Sequence, residues 1–208
     1  MKSKLTTKLN TKQLEELILQ SLEHEKGGVK VYTTALTCAQ NPGLKKEWQE
    51  YLEQTRTHVT TLERVCQAFR LNPDQATPGR LIVRQLGESL VAAMKNALAA
   101  GDRTAAELVA CECVVIAETK DHQDWELLGK CALQLDGQQA EVLRAAYDEI
   151  EDQEDEHLYH TRGWCRELWV QSLGIPAVLP PPEERQKVKT AIGAARAEQS
   201  ADLQRRPI

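Results

Sequence analysis

Aromatic residues and long apolar runs are both scarce in this sequence. Phe, Tyr and Trp make up 4% of the 208 residues, and the chain has one Phe. A core with so few rings must be built mainly from Leu, Val, Ile and Ala, which suits the packing of helices against each other. No apolar run approaches the roughly 18 residues that a membrane-spanning helix needs. The N-terminal lysines are not followed by an apolar stretch, so we expect no signal peptide.

Sequence motifs of the common catalytic classes are also missing. There is no GxSxG nucleophile motif, no P-loop and no Rossmann glycine pattern, so hydrolase, kinase and nicotinamide chemistry have no support. The six cysteines lack CxxC spacing and are expected to be reduced thiols in a cytosolic protein. With 26 basic and 31 acidic residues the net charge is -5, which argues against nucleic acid as the main partner. No basic amphipathic helix is apparent, so we expect no membrane partner either.

The alternating β-branched pattern of strands is absent too, whereas apolar residues recur at helical spacing. All eight prolines lie at or outside the edges of the periodic segments, so they mark where helices begin and end. The predicted helices run from Asn10 or Thr11 to about Cys38, from Pro42 to Leu71, from Arg80 to Ala99, from Arg103 to Leu133 and from Gln138 to Gln171. A further amphipathic helix is predicted from Glu183 to Gln199, after a run of prolines.

Four of these helices are long, and they form two tightly joined pairs. The connection between the pairs carries the shorter helix, whose predicted inward face is Ile82, Leu86, Leu90, Ala93 and Ala97. Two antiparallel hairpins with one long crossover are typical of ferritin-like folds. We therefore predict an all-α protein with a ferritin-like four-helix bundle over residues 10–173, a crossover helix at about 80–99, and a proline-rich linker and tail over 174–208. An ordinary helical bundle with an extra helix is the alternative.

Polar residues interrupt the apolar faces of the first and last long helices. Glu25 lies on the apolar face of the first helix, followed by Gly28 and Tyr32. On the last long helix, Glu154 and His157 are spaced i, i+3, so they project from the same face. Burying an unpaired carboxylate costs several kcal/mol, so such residues need a partner. A carboxylate oxygen and an imidazole nitrogen on one face are suited to binding a single metal ion.

The two other long helices give less regular patterns. On the second helix His58 faces inward, and Thr55 stands three residues before it. On the helix from about residue 103, one face carries Glu112 with His122, whereas an adjacent face would present Glu118 with His122. Periodicity alone leaves both faces open. The adjacent glycines at 27 and 28 each cost about 1 kcal/mol in a helix. They indicate either the close approach of another helix or room for a ligand beside Glu25, and we favour the close approach of a helix.

The first and last long helices resemble those of the ferritin-like superfamily. Glu25 followed seven residues later by Tyr32 is similar to the first helix of its rubrerythrin-type members. The di-iron carboxylate proteins of this superfamily use a Glu from each of two helices and a Glu-x-x-His from each of two others. Glu154 and His157 are similar to the Glu-x-x-His of the fourth helix.

The middle of the chain shows the same resemblance, which covers about residues 10–173. The segment from Tyr51 to His58, with Leu62, resembles stress-associated bacterial ferritin-like proteins of the YciF type. His58 is similar to the second-helix His of the superfamily, and Glu112 to its third-helix Glu. The resemblance implies metal ligands at Glu25, His58, Glu112, Glu154 and His157, and it implies that Tyr32 donates an electron to the metals.

One position departs from the superfamily pattern. Thr55 stands where the second Glu-x-x-His would have its Glu. Glu47, Glu53 or Gln54 would compensate only if the helix had a different register. Three carboxylates and two histidines can hold one metal ion, whereas a symmetric pair of ions would lack one bridging carboxylate.

Two functions follow from this pattern. The first is a cytoplasmic metal-binding protein that uses iron or manganese as an oxidase or peroxidase in stress defence, since carboxylate and imidazole ligands suit both metals. The second is a degenerate ferritin-like bundle without metal, which acts as a dimeric interaction or stress-response scaffold. The metal ion is the expected partner in the first case, and we expect a homodimer in both. Thr55 favours the second function, and the intact Glu154-x-x-His157 motif favours the first.

Overall fold

The computed structural model describes residues 9–181, and this part of the chain is built from helices. The five helices in it are α1 (Thr11–Cys38), α2 (Pro42–Ala68), α3 (Pro78–Ala99), α4 (Arg103–Ala132) and α5 (Gly137–Ser172), and no strand occurs between residues 9 and 181. The predicted all-α class is confirmed, and the predicted helix boundaries agree closely with the observed ones. The helix predicted from Glu183 to Gln199 lies outside the described residues. None of the five described helices has an apolar stretch long enough to cross a bilayer.

Side-chain caps explain where four of the helices begin. The residue before each of these helices accepts a hydrogen bond from a backbone N–H of the first turn, which would otherwise have no partner. The capping residues are Asn10 for α1, Asn41 for α2, Thr77 for α3 and Asp102 for α4. Pro42 and Pro78 occupy the first helical positions, where a missing N–H costs nothing.

The four long helices contact each other in cyclic order. α1 packs against α2 and α4, and α5 packs against α4 and α2. The shorter α3, which lies between α2 and α4 in the sequence, packs against α1 and α4 on the outside of this ring. The interior of the ring is therefore lined by one face from each of α1, α2, α4 and α5.

The interior consists of two apolar clusters with a polar layer between them. One cluster includes Trp48, Val114 and Trp164. The other includes Ile18 and Leu128, with the aliphatic residues around them. On each of the four helices, the buried ligand-type residues fall in sequence between the segments that build the two clusters: Glu25, His58, Glu118, and Glu154 with His157. The polar residues of all four helices consequently meet at one level, about halfway along the ring.

The predicted inward face of α3 is wrong at three of its five positions, because Ile82, Leu86 and Ala93 are exposed, whereas Leu90 and Ala97 are partly buried. Ile82 is 60% exposed and Leu86 is 55% exposed. Glu23 of α1 accepts hydrogen bonds from both Arg80 and Arg84, which lie one turn apart and therefore share a face. The face with the two arginines is turned towards α1. Ile82 and Leu86 lie on a different face and therefore point away from the interior. The buried residues of α3 are Arg80, Val83 and Met94.

Candidate metal centre

Five ligand-type side chains converge in the polar layer. They are Glu25 from α1, His58 from α2, Glu118 from α4, and Glu154 with His157 from α5, and none is more than 3% exposed. The layer is closed off from water by an apolar cluster on each side. Burying three carboxylates at one level is costly unless opposite charge or hydrogen bonds compensate.

The five side chains form two triads that share one carboxylate. His58 Nδ1 lies 3.3 Å from Glu25 Oε1 and 3.0 Å from Glu154 Oε1. His157 Nδ1 lies 3.5 Å from Glu118 Oε2 and 3.6 Å from the same Glu154 Oε1. Within each triad the donor atoms lie within 4.8 Å of one another, which is close enough for one metal ion to be bound by all three. Glu154 belongs to both triads, as a bridging carboxylate would.

Both imidazoles are oriented with Nδ1 towards the cluster. His58 Nε2 lies 2.9 Å from Gln153 Oε1, and His157 Nε2 lies 2.6 Å from Gln54 Oε1. An amide oxygen can only accept a hydrogen bond, so each Nε2 carries its hydrogen. The lone pair of a neutral imidazole is then on Nδ1, the atom that faces the carboxylates.

The inward-facing donor atoms of the cluster have no hydrogen-bond partner outside the cluster itself. Among residues 9–181, ten buried side-chain nitrogen or oxygen atoms have none, and six of these belong to the two triads. The six are Glu25 Oε2, His58 Nδ1, Glu118 Oε2, Glu154 Oε1 and Oε2, and His157 Nδ1. Buried polar atoms are rarely left unpaired in folded proteins. A metal ion bound at the centre of the cluster would give these six atoms the partner that they lack.

Burial changes the ionisation of the cluster. Desolvation raises the pKa of Glu118 to about 8, and it also raises the pKa of Glu154. Burial would lower the pKa of His58, but Glu25 and Glu154 outweigh it and raise that pKa to about 11. Burial lowers the pKa of His157 to about 4. The layer thus has an excess of acidic groups, which added positive charge would stabilise in their ionised form.

Asp121 is a further buried carboxyl beside the cluster that sequence reasoning missed. It is 4% exposed, and its Oδ1 has no hydrogen-bond partner. Burial and the neighbouring Glu154 and Glu25 raise its pKa well above the ordinary value. It follows Glu118 by three residues on α4, and this i, i+3 spacing is the sequence signal that could have identified it.

Glu112 is not part of the cluster, which corrects the prediction for α4. Its side chain is exposed and accepts a hydrogen bond from Trp169 Nε1 at 3.1 Å. Glu118 takes the expected position instead, on the face that the sequence left as an alternative. The two residues are six apart, which at 3.6 residues per turn places them on different sides of the helix. His122 also lies outside both triads, because its Nε2 pairs with Asp155 Oδ1 at 2.6 Å.

Thr55 faces inward as predicted and brings no ligand to the cluster. It is buried, and its hydroxyl donates to the backbone oxygen of Tyr51 at 2.8 Å. A Cβ on Gly28 would stand 3.2 Å from Thr55 Cγ2, so the two residues are in close contact across α1 and α2. The packing explanation holds for Gly28, whereas a Cβ on Gly27 would meet nothing within 4 Å.

The three side chains named as substitutes for a Glu at position 55 have other partners. Glu47 accepts a hydrogen bond from Trp164 Nε1, and Glu53 pairs with Arg56 on the surface. Gln54 accepts from His157 and does not face the triads as a ligand. The second helix therefore contributes one ligand-type side chain, His58.

Aromatic residues surround the cluster. Tyr32, the predicted electron donor, is fully buried with its ring centroid 6.1 Å from that of His157. Tyr51 is closer to the same imidazole, at 4.2 Å between centroids, and its hydroxyl lies 3.1 Å from His160 Nδ1. Both tyrosines thus lie on the His157 side of the layer.

Comparison of the chain with protein-family models, with curated proteins and with solved structures finds no match.

Proposed function

We propose that this chain is a ferritin-like four-helix-bundle protein whose polar layer binds two ions of iron or manganese. Glu25 and His58 would hold one ion, Glu118 and His157 the other, and Glu154 both. The observation that carries the proposal is the convergence of six unpartnered, buried donor atoms from four helices. The cyclic packing of α1, α2, α4 and α5, with α3 in the connection, is compatible with the ferritin-like topology.

The charge of the layer supports two divalent ions. Its buried carboxyl groups are Glu25, Glu118, Asp121 and Glu154, which together carry four negative charges when ionised. Two divalent cations would balance these charges within the buried layer. Carboxylate and imidazole donors are suited to iron and manganese. Without a Glu at position 55 the site would lack one carboxylate that could bridge the two ions, but both triads remain complete.

We further propose that the chain acts as an oxidase or peroxidase in cytoplasmic stress defence, in which dioxygen or hydrogen peroxide would be the oxidant and a reducing substrate would return the metals to their reduced state. A redox-active metal pair would supply the electrons for this chemistry. The chain's own contribution is to stabilise the oxidised, more positive metals through Glu25, Glu118 and Glu154. The apolar clusters above and below keep water out of the layer, which strengthens these electrostatic interactions.

Metal content provides the test. Protein produced with iron and manganese supplied, and purified without chelator, should contain about two metal ions per chain by mass spectrometry. Glu118→Gln keeps the shape of the side chain and removes a ligand, so it should lower the content. Glu112→Gln on the same helix is the matched control, since Glu112 is exposed and should leave the content unchanged. Well-folded wild-type protein without metal would overturn the proposal.

The same experiment addresses the second candidate function. Thr55, which packs against Gly28 in place of a ligand, favours a bundle that has lost its metals and serves as a dimeric scaffold. In that case the metal-free chain should remain folded, and Glu118→Gln should stabilise it because a buried carboxyl is removed. Under the metal-binding proposal, the same variant should abolish the stabilisation that added metal gives to the wild type.

A further inference from the structure

The hydrogen bonds that orient the two imidazoles are reciprocal. Gln54 of α2 accepts from His157 of α5, and Gln153 of α5 accepts from His58 of α2. On each helix the Gln stands four residues before the His, which is about one helical turn. Each helix therefore supplies one ligand-type imidazole and the amide that holds the imidazole of the opposite helix.

The amide of Gln153 has a fixed orientation. Its Nε2 donates to the backbone oxygen of Glu149 at 3.4 Å, which leaves Oε1 to face His58. Gln54 likewise presents Oε1 to His157 at 2.6 Å. A neutral amide oxygen accepts the imidazole hydrogen without taking it. A neutral imidazole is thereby held in the Nε2–H form, with its Nδ1 on the side of the carboxylates.

We infer that Gln54 and Gln153 are positioning residues: Gln54 fixes the tautomer and orientation of the His157 imidazole, and Gln153 fixes the orientation of the His58 imidazole. The purpose of this arrangement, metal binding through Nδ1, rests on the proposed function. The tautomer itself is a property of the metal-free chain and can be measured there. The inference makes a specific prediction. A change at residue 54 should alter the tautomer of His157 across the helix interface, and it should not alter His58, which lies one turn away on α2.

Nitrogen-15 NMR of histidine-labelled, metal-free protein at pH 7 tests this prediction. The wild type should show His157 with a hydrogen on Nε2 and none on Nδ1. Gln54→Leu should shift His157 to a mixture of the two tautomers and leave the His58 signals unchanged. Gln54→Glu retains an acceptor at the same position, so it should keep the Nε2–H form. An unchanged His157 tautomer in Gln54→Leu, or an equal disturbance of both histidines, would overturn the inference.

Zinc provides a second measurement, because Zn²⁺ is diamagnetic and takes no part in redox chemistry. Loss of a group that orients a metal-binding imidazole typically weakens metal affinity by about 10- to 100-fold. Gln54→Leu and Gln153→Leu should each weaken Zn²⁺ binding by this factor, and Gln54→Glu should restore it. Gln67→Leu, an exposed position on α2, is the matched control and should have no effect. Equal Zn²⁺ affinity in Gln54→Leu and the wild type would contradict the inference.

The two measurements separate this inference from the proposed function. Absence of Zn²⁺ binding by the wild type would count against the metal centre, while the NMR result would still decide the role of Gln54. Should Gln54→Leu fail to fold, Gln54→Asn serves the same test, since it keeps the amide and shortens its reach by one methylene group. The Asn variant should release His157 from the Nε2–H form, and an unchanged tautomer would overturn the inference.

Discussion

Trp125 of α4 donates its indole N–H to Oε1 of Glu25 on α1 at 2.9 Å. The indole is 1% exposed, and its centroid lies 6.3 Å from that of His58. The hydrogen bond connects the ring directly to a proposed metal ligand. Because the other oxygen of Glu25 has no partner, this bond leaves that carboxylate one oxygen for a metal.

The first prediction uses this indole as a reporter. Titration with Mn²⁺, which is paramagnetic, should quench the fluorescence of Trp125 in proportion to the metal bound near Glu25. Trp125→Phe should reduce the amplitude of quenching more than Trp169→Phe does, because Trp169 is 39% exposed and lies against Glu112, outside the triads. Equal quenching in the two variants would place the bound Mn²⁺ elsewhere.

The second prediction concerns pH and the stability of the metal-free protein. Burial raises the folded-state pKa of Glu118 from 4.5 to about 8. A carboxyl group of this kind favours the folded state only while it is protonated, so its contribution is lost as pH rises from 4.5 to 8. For His58, burial lowers the pKa but Glu25 and Glu154 raise it to about 11. Its contribution is complete below pH 6.5 and declines as pH rises above that value.

The raised pKa values of Glu118 and His58 therefore both predict that the metal-free chain loses stability between pH 6.5 and 8. Below pH 6.5 the lowered pKa of His157, caused by burial, acts in the opposite direction. A fully shifted group changes stability by about 1.4 kcal/mol per pH unit, so each of the two groups is expected to contribute a loss of about 2 kcal/mol. Chemical denaturation at the two pH values measures it. Glu118→Gln should reduce the dependence, and saturating Mn²⁺ should reverse its sign, because metal competes with protons for the ligands.

The third prediction concerns Thr55→Glu. The substitution adds the carboxylate that would bridge two ions, but it also places another buried charge beside Gly28. Metal-free protein should therefore be destabilised, by several kcal/mol if the charge finds no partner. Added metal should raise the melting temperature of this variant by more than it raises that of the wild type. Thr55→Gln, which has the same size and no charge, is the control for steric effects. A similar metal response in Thr55→Glu and Thr55→Gln would show that residue 55 does not reach the metals.

The fourth prediction concerns the attachment of α3. Arg80 is 3% exposed, donates to Glu23, and also donates to the backbone oxygens of Pro73 and Gln75. Arg80→Ala should lower the free energy of unfolding by about 3 kcal/mol, because it leaves a buried carboxylate without its buried partner and two backbone oxygens without a donor. Arg84→Ala should cause a smaller loss, since the side chain of Arg84 is half-exposed although it binds the same carboxylate. Urea denaturation of the two variants gives the comparison, and equal losses would contradict it.

Much of the fold and part of the cluster were predictable from sequence. The prolines and the capping residues mark the helix ends because they act locally, within one turn of the chain. Glu154 and His157 were placed correctly on the interior because the residues around them on α5 have a single apolar face. Ile150 before them and Trp164 after them are both buried, which continues that face.

The face of α4 was harder to predict because this helix is apolar on more than one side. Cys111, Cys113 and Val114 are all buried, so apolar residues alone do not distinguish the side with Glu112 from the side with Glu118. The orientation of α3 was hard to predict for a different reason. Its orientation depends on Arg80 and its partner on another helix, a contact between residues far apart in the chain that helical periodicity does not encode.

The polar layer between the two apolar clusters also determines how the helices are aligned along their axes. Sliding one helix by a single turn would move its polar residues by about 5.4 Å, from the layer into an apolar cluster. On α5, such a shift would bring Glu154 towards the level of aliphatic side chains, where an unpaired charge costs several kcal/mol. Apolar faces of this kind tolerate sliding, because one Leu or Ala replaces another at little cost. The buried polar residues of the layer consequently specify one alignment of the four helices, whether or not a metal ion is bound.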